Sequence, residues 1–520
     1  MGTDGRGEGR RSRGQGQGRN PSTHALRKSD GPVVPAKPPN NPDPEGEGAE
    51  AVEESGPAKG NAAGETRPGH RAGHGGSSEL DRVRERARKD KDARFTALLH
   101  HITPELLADA YRQINPKAAP GVDGVSWHAY GQDLGAGLRD LHRRLHSGSY
   151  RASPTRRTEI PKADGTTRPL AVATLEDKIL QRATATVLGA IYEQDFLGFS
   201  YGFRPGRRPH HALDALAVAI TRRRVNWVLD ADLRAAFTSL DRSHLERFVE
   251  QRIADRRITR LIGKWLRAGV IEQGGSWAPE QGVGQGTSIS PLLANVYLHY
   301  AFDLWAHQWR RRHARGEVCL VRFADDIVVG FERRDDAERF SDAMRARLAR
   351  FALELNADKT RLIEFGRFAA QDRSRRGLGK PETFEFLGLT HICAKTGKGR
   401  FKLKRLTSRR RMQAKLGELK VELRRRMHEP VPDQGRWLGS VLQGHFNYYA
   451  VPDNSEALNA FRRGTVRHWR RSLSRRSHKA AVPWERMDRI TARWLPSPRI
   501  LHPWPGVRFD ATTRGRSPVS

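Results

Sequence analysis

Two adjacent carboxylates, Asp325 and Asp326, stand between the apolar runs VCLVRFA and IVVGF. Flanks this apolar belong to a buried hairpin, where a carboxylate is costly unless it is paired or bound to a metal. Aspartate also suits a solvated turn, so the pair alone leaves both readings open. A second acidic set lies in LDADLRAAFTSLD. Side chains alternate along a strand, so Asp230 and Asp232 share one face of the segment 227–233. Asp241 has the position of an N-cap for the helix that follows. Three carboxylates converging from two strands could hold two Mg²⁺ ions at roughly 3.5–4 Å, the spacing used for in-line phosphoryl transfer. Other groups suit an anionic partner. Lys162 and Arg168 flank the turn Ala163-Asp164-Gly165 and could reach a triphosphate, Arg as a fork and Lys as a point charge, or could be plain surface charge. Gln285 sits between Gly284 and Gly286, small neighbours that let backbone approach a ligand closely.

The elements that must position these groups are legible from periodicity. Residues 227–233 read as a strand, and 318–331 as two strands about the acidic pair. Residues 156–173 read as two short strands around the 163–165 turn. Helices are expected over 103–114, 131–147, 175–193, 243–253 and 257–268. A single long helix is expected over 290–309, begun at Ser290-Pro291, and another over 335–354. The mixture is α+β, with its chemistry at strand ends.

Composition bounds the partner. The chain has 520 residues and carries 93 Lys+Arg against 59 Asp+Glu, a net charge of +34 that favours phosphate contacts with nucleic acid. Residues 1–78 hold 17 Gly and 9 Pro without one aromatic, so they are expected to form a disordered Arg/Gly/Pro-rich tail. No apolar run approaches the roughly 20 residues of a membrane helix, and no apolar h-region follows the charged start. A cytoplasmic, nucleic-acid-associated protein is expected, and the Arg, Gly and Ala bias suggests a GC-rich bacterial genome. Basic residues crowd two stretches. Residues 400–426 contain 12 Lys/Arg and 2 acids, and 461–479 contain 8 Lys/Arg and no acid.

Seven motifs carry a resemblance. RFADDIVVGF resembles the catalytic hairpin of reverse transcriptases, WVLDADLRAAF their first palm motif, and GVGQGTSISPLLANVYLHYAFD the Gln-Gly helix motif between them. RPLAVATLEDKILQRA, FSYGFRPGRRPHHAL, LELNADKTRLIEF and FEFLGL follow the order and spacing of group II intron-encoded reverse transcriptase/maturases. The resemblance covers about residues 80–500. It implies a right-hand polymerase, with fingers and palm over 79–395 and a thumb over 396–430. A helical, RNA-binding maturase X domain would occupy 431–510.

The resemblance also implies roles. Asp232, Asp325 and Asp326 would hold two Mg²⁺ ions, with the Leu233 carbonyl as a further ligand and Mn²⁺ able to substitute. Asp230 is the rival of Asp232 within its strand. Phe237, five residues beyond Asp232, would exclude a ribose 2′-OH, although it could equally be a core aromatic. Lys162, Arg168 and Gln285 would meet the dNTP, and Lys359 would protonate pyrophosphate. Phe203, Arg204, Arg207 and Arg208 would line the template track, with the 400–426 helices along an RNA/DNA duplex. Arg462, Arg463, Arg467, Arg470 and Arg471 would face intron RNA. Tyr448 and Tyr449 would either stack on RNA or belong to the core.

Three positions depart from the family pattern. Thr238 replaces a frequent Asp, Gly284 a Pro, and Phe323 a Tyr. With only Cys319 and Cys393, no HNH endonuclease with paired CxxC zinc motifs is expected, so a pre-existing 3′ end would prime on a DNA target. The implied activity is RNA-directed DNA polymerisation with assistance to intron splicing and retromobility. The alternatives are an RNA-binding splicing factor without polymerase activity and a domesticated reverse transcriptase in repair or defence.

Overall fold

The apolar runs around the two acidic motifs pair into one sheet. A computed structural model of the protein describes residues 75–161, 167–234, 240–272, 275–277, 286–476 and 481–513. Within these the strands are β1 (Thr155–Pro161), β2 (Thr167–Val172), β3 (Trp227–Asp232), β4 (Val270–Glu272), β5 (Gly275–Trp277), β6 (Val318–Phe323), β7 (Asp326–Phe331), β8 (Arg361–Glu364), β9 (Phe384–Phe386), β10 (Leu389–Lys395) and β11 (Phe401–Thr407). They form three sheets, in the orders β2-β1-β4-β5, β6-β7-β3-β8 and β11-β10-β9. With long helices between them the chain is α+β. Most of the expected tail (1–74), together with Lys162, the 163–165 turn, Phe237, Thr238, Gly284 and Gln285, lies outside the described residues.

All neighbours in the β6-β7-β3-β8 sheet run antiparallel. Nearly every residue of β3, β6 and β7 is buried, so both faces of the sheet are covered. The helix Pro209–Arg222 packs on β6 and β7, and the helix Arg334–Ala349 packs on β3 and β7. The helix Leu175–Asp195 is buried over most of its surface, its polar Asp177, Lys178, Gln181 and Thr184 included, and forms the spine of the N-terminal half. Caps read from sequence recur in the fold. Thr103 accepts from the Leu106 N–H at 3.3 Å, and Asp241 accepts from the His244 N–H at 2.8 Å.

Four expectations are corrected. The single helix over 290–309 is two α-helical pieces, Ser290–Leu298 and Leu304–Arg312, joined by a π-helical turn at His299–Asp303. The helix over 335–354 ends at Ala349, and Ala352 turns the chain with φ +52°. Residues 401–407, the start of the basic 400–426 stripe, are strand β11, and only Arg409–Arg425 is helical. Lys402 and Lys404 alternate with Leu403 and Arg405, which face inward, Arg405 paired with Asp214 at 2.9 Å, and the pairing of β11 with β10 overrides any helical spacing. The expected division at 395/396 therefore falls inside a hairpin. The sheet ends at Ser408, which caps the helix after it.

Candidate active site

The acidic residues meet because of strand register. Asp232 lies directly opposite Asp326 across β3 and β7, and Asp326 lies opposite Phe323 across β7 and β6. The β6–β7 connection is therefore a two-residue turn, Ala324-Asp325. Ala324 has φ +54°, a conformation usually left to Gly at the head of such a turn and worth about 1–2 kcal/mol of strain for other residues. Asp230, opposite Val328, lies two residues along β3 from Asp232 and is buried with it. Burial pushes the Asp326 carboxyl well above the ordinary range. The negative charges of Asp325, Asp232 and Asp230 add to that rise, while Arg411 opposes it.

Beyond β3 the chain stays close to the acids. Leu233 bridges Leu355, and the Asn356 N–H donates to the Asp232 carbonyl at 2.8 Å. That contact holds the 356–360 turn against β3, and Lys359 Nζ comes 4.0 Å from Asp232 Oδ2. The side chains at this strand end suit a hard divalent cation, since Asp230, Asp232, Asp325 and Asp326 all offer carboxylate oxygens. A cation there would also relieve the repulsion that raises Asp326. Among the described residues, one His/Cys/Asp/Glu trio has ligand atoms all within 4.8 Å of one another, namely Glu79, His100 and His101. The oxygens of Asp232, Asp325 and Asp326 are not gathered that tightly.

An arginine inside an apolar strand proves central to the turn. Arg322 in β6 is fully buried, and its Nε and Nη2 donate to both oxygens of Asp303. Nη1 donates to Asn295 Oδ1 at 3.0 Å and to the Ala324 carbonyl at 3.1 Å, and Nη2 donates to Ser200 Oγ at 2.8 Å. Asn295 Nδ2 donates in turn to the Gly202 carbonyl at 2.8 Å. Gly202 packs on the turn itself, since a Cβ there would lie 2.3 Å from the Ala324 nitrogen. Sequence reading passed over Arg322, Asn295, Asp303, Gly202 and Arg411. The available signal was Arg322 itself, a guanidinium in VCLVRF that burial obliges to find several acceptors.

The remaining candidates divide. Phe203 is partly exposed at φ +56° and walls a small recess beside Asp325 with Leu240 and Leu298. Arg204 is turned inward, against the expectation of a phosphate contact. It is buried, paired with Glu193 at 2.9 Å and bonded to the Leu197 and Ser200 carbonyls. Arg207 likewise donates to the Gly198 and Ser200 carbonyls and lies over the Tyr201 ring. Both serve as internal struts of the 197–207 loop, and Arg208 is the exposed arginine there. Arg168 stands in β2 opposite Ile160.

On the helix Ser455–Ser474 the five expected arginines do not form one free face. Arg462 Nε donates to the Pro496 carbonyl at 3.2 Å. Arg470 Nε donates to the Val482 carbonyl at 2.8 Å and stacks over Trp484. Arg463, Arg467 and Arg471, four residues apart, are exposed along one stripe. Tyr448 and Tyr449 are core residues, and the Tyr448 hydroxyl donates to the Leu387 carbonyl at 2.8 Å.

Comparison with known proteins agrees with this arrangement. The family model described as "Reverse transcriptase (RNA-dependent DNA polymerase)" matches residues 160–391. Protein YkfC of Escherichia coli (strain K12) is 35% identical over 333 residues, covering 56% of this chain and 87% of that protein. The group II intron-encoded protein LtrA of Lactococcus lactis subsp. cremoris is 30% identical over 222 residues, covering 42% of this chain and 37% of LtrA. A putative COX1/OXI3 intron 2 protein of Saccharomyces cerevisiae is 32% identical over 166 residues, 31% of this chain and 19% of that protein. Reverse transcriptases use divalent metal ions, nucleic acid and dNTPs, and among the described residues no helix is long and apolar enough to cross a membrane. The chain belongs to the group II intron-encoded reverse transcriptase/maturase family and is an RNA-directed DNA polymerase.

Proposed function

We propose that the protein extends a primer 3′-hydroxyl on an RNA template with Asp232, Asp325 and Asp326 as ligands of two Mg²⁺ ions, replaceable by Mn²⁺. The Leu233 carbonyl is a further ligand. The observation that carries this reading is the register that sets Asp232 opposite Asp326 with Asp325 in the adjoining turn. When bound, the ions lower the pKa of the attacking hydroxyl and neutralise charge on the departing pyrophosphate. The chain's own groups orient the reactants. Lys162 and Arg168 hold the triphosphate. Gln285 meets the sugar and base, and Phe237 excludes a 2′-hydroxyl. Lys359, 4.0 Å from Asp232, gives a proton to pyrophosphate.

On this reading the β6-β7-β3-β8 sheet is the palm, the β2-β1-β4-β5 sheet belongs to the fingers, and the helix Arg409–Arg425 is the thumb. Residues 431–510 are the X domain. A second role, binding group II intron RNA to assist splicing and retromobility at a DNA target, is favoured by the exposed Arg463, Arg467 and Arg471 stripe. Primer extension on an RNA template with dNTPs and Mg²⁺ tests the site, with wild type beside Asp325→Asn. The variant should lose extension and keep RNA affinity. Near-normal extension by Asp325→Asn would sink the assignment.

A further inference from the structure

We infer that Arg322 is a positioning residue for polymerisation, whose one guanidinium fixes the Ala324-Asp325 turn so that Asp325 and Asp326 face Asp232. The inference rests on the metal-site reading above. A two-residue turn with its first residue at φ +54° is a strained connection, and strain of this kind persists only where the surroundings over-determine it. Arg322 supplies that constraint from three directions. It ties the Ala324 carbonyl to Asp303 and Asn295 on the helical segment 290–312 and to Ser200 on the 197–203 loop. The loop is itself hydrogen-bonded to the backbone of the same residue. The Arg322 N–H donates to the Phe199 carbonyl, and the Tyr201 N–H donates to the Arg322 carbonyl, both at 2.8 Å.

The π-helical turn has a part in this. Residues eight apart on an uninterrupted α-helix are rotated by about 80° from one another. A π turn absorbs one residue, which leaves Asn295 and Asp303 within roughly 20° of a common face. Both then reach the single guanidinium. The break in the helix is what lets one arginine take acceptors from both sides of it.

Lysine cannot reproduce a planar fork with five donors, so Arg322→Lys leaves the turn under-held. The expected result is a kcat for dNTP incorporation lowered about 10²-fold, as for a displacement near 1 Å at the reacting groups. The dNTP KM should stay within about twofold, while the Mg²⁺ concentration for half-maximal rate rises about tenfold. Ser200→Ala removes one link and Asn295→Ala removes two, counting its bond to the Gly202 carbonyl, and each should shift the same two quantities in the same direction by smaller factors. They decide the matter if Arg322→Lys fails to fold. Arg252→Lys is the control for stability alone. Arg252 is an equally buried guanidinium, paired with Asp195 at 2.9 Å and bonded to the Ala87, Asp90 and Ala93 carbonyls. Its loss should lower the melting midpoint without moving the Mg²⁺ requirement.

Asp325→Asn is run beside these variants. If it loses extension while the Arg322, Ser200 and Asn295 variants keep wild-type kcat and Mg²⁺ half-saturation, the positioning role is overturned and the metal site stands. If Asp325→Asn extends normally, both fall together. A Mg²⁺ requirement that moves equally in Arg252→Lys would also overturn the proposal, because the effect would then follow stability rather than the turn.

Discussion

Gly202→Ala tests whether the turn's geometry limits the rate. The Cβ of alanine would lie 2.3 Å from the Ala324 nitrogen and 3.0 Å from both the Ala324 Cα and the Phe323 carbonyl carbon. Ordinary contact begins at 3.4 Å, so the backbone of the turn or of the loop must yield by about 1.1 Å. No flexible side-chain end stands in the way to absorb the shift, since all three atoms are main chain. Gly202 is not among the glycines at positive φ, so alanine brings no dihedral penalty and the effect is steric. Overpacking of this kind costs about 1–3 kcal/mol of stability. A displacement near 1 Å at the aspartates should cost about 10²-fold in the chemical step. The assay is single-turnover primer extension on an RNA template, with RNA affinity and denaturant stability measured on the same preparation. Gly189→Ala is the matched control, because its Cβ would meet nothing within 4 Å in the helix Leu175–Asp195. That change should leave the rate alone and stabilise by up to about 1 kcal/mol. A folded Gly202→Ala enzyme with a rate within threefold of wild type would show that the 202–324 approach does not govern the aspartates.

Three further outcomes are expected. Replacing Arg463, Arg467 and Arg471 together by Gln should weaken RNA binding and reduce the slope of log affinity against log salt by about 2, near 0.7 per lost phosphate contact on single strands; an unmoved slope would mean these arginines do not meet phosphates. Asp255→Asn should destabilise by about 1 kcal/mol at pH 7. Burial works against the Asp255 charge, but the Leu98 and Leu99 N–H groups and Arg257 outweigh it and hold the carboxyl below its usual range. Its contribution is thus present above the unfolded pKa and is lost as pH falls through the folded one, so the gap between variant and wild type should close in acid, and a gap independent of pH refutes the cause. Burial also lowers His210, His391 and His445 to about 3 and His299 to about 4. The unfolded chain then binds protons that the folded chain excludes, so stability is full above about pH 6.5 and falls as the pH drops below it. Four such groups remove on the order of 5 kcal/mol by pH 5.5, a large part of a typical total. Denaturation curves that coincide at pH 7.5 and 5.5 would contradict this.

The sequence by itself determined the local features. Short continuous apolar runs marked β3, β6 and β7, and the short side-chain reach of Thr103 and Asp241 marked helix starts, because each of these signals lives within a few residues. The adjacency of Asp325 and Asp326 was likewise plain in the chain. Tertiary structure decided which charged groups are available to a partner. Arg462 and Arg463 are neighbours in one basic run, yet only Arg462 is held by a carbonyl 34 residues away, at Pro496. Arg204 and Arg207 were indistinguishable from Arg208 until the 197–207 loop folded back and supplied carbonyls for them. Arg322 needed Ser200 from the 197–203 loop and Asn295 and Asp303 from the helical segment 290–312 before its hold on the Ala324 carbonyl could be read. A guanidinium satisfies itself with whatever acceptors burial brings within about 3 Å, and those acceptors come from chain segments that no local pattern connects.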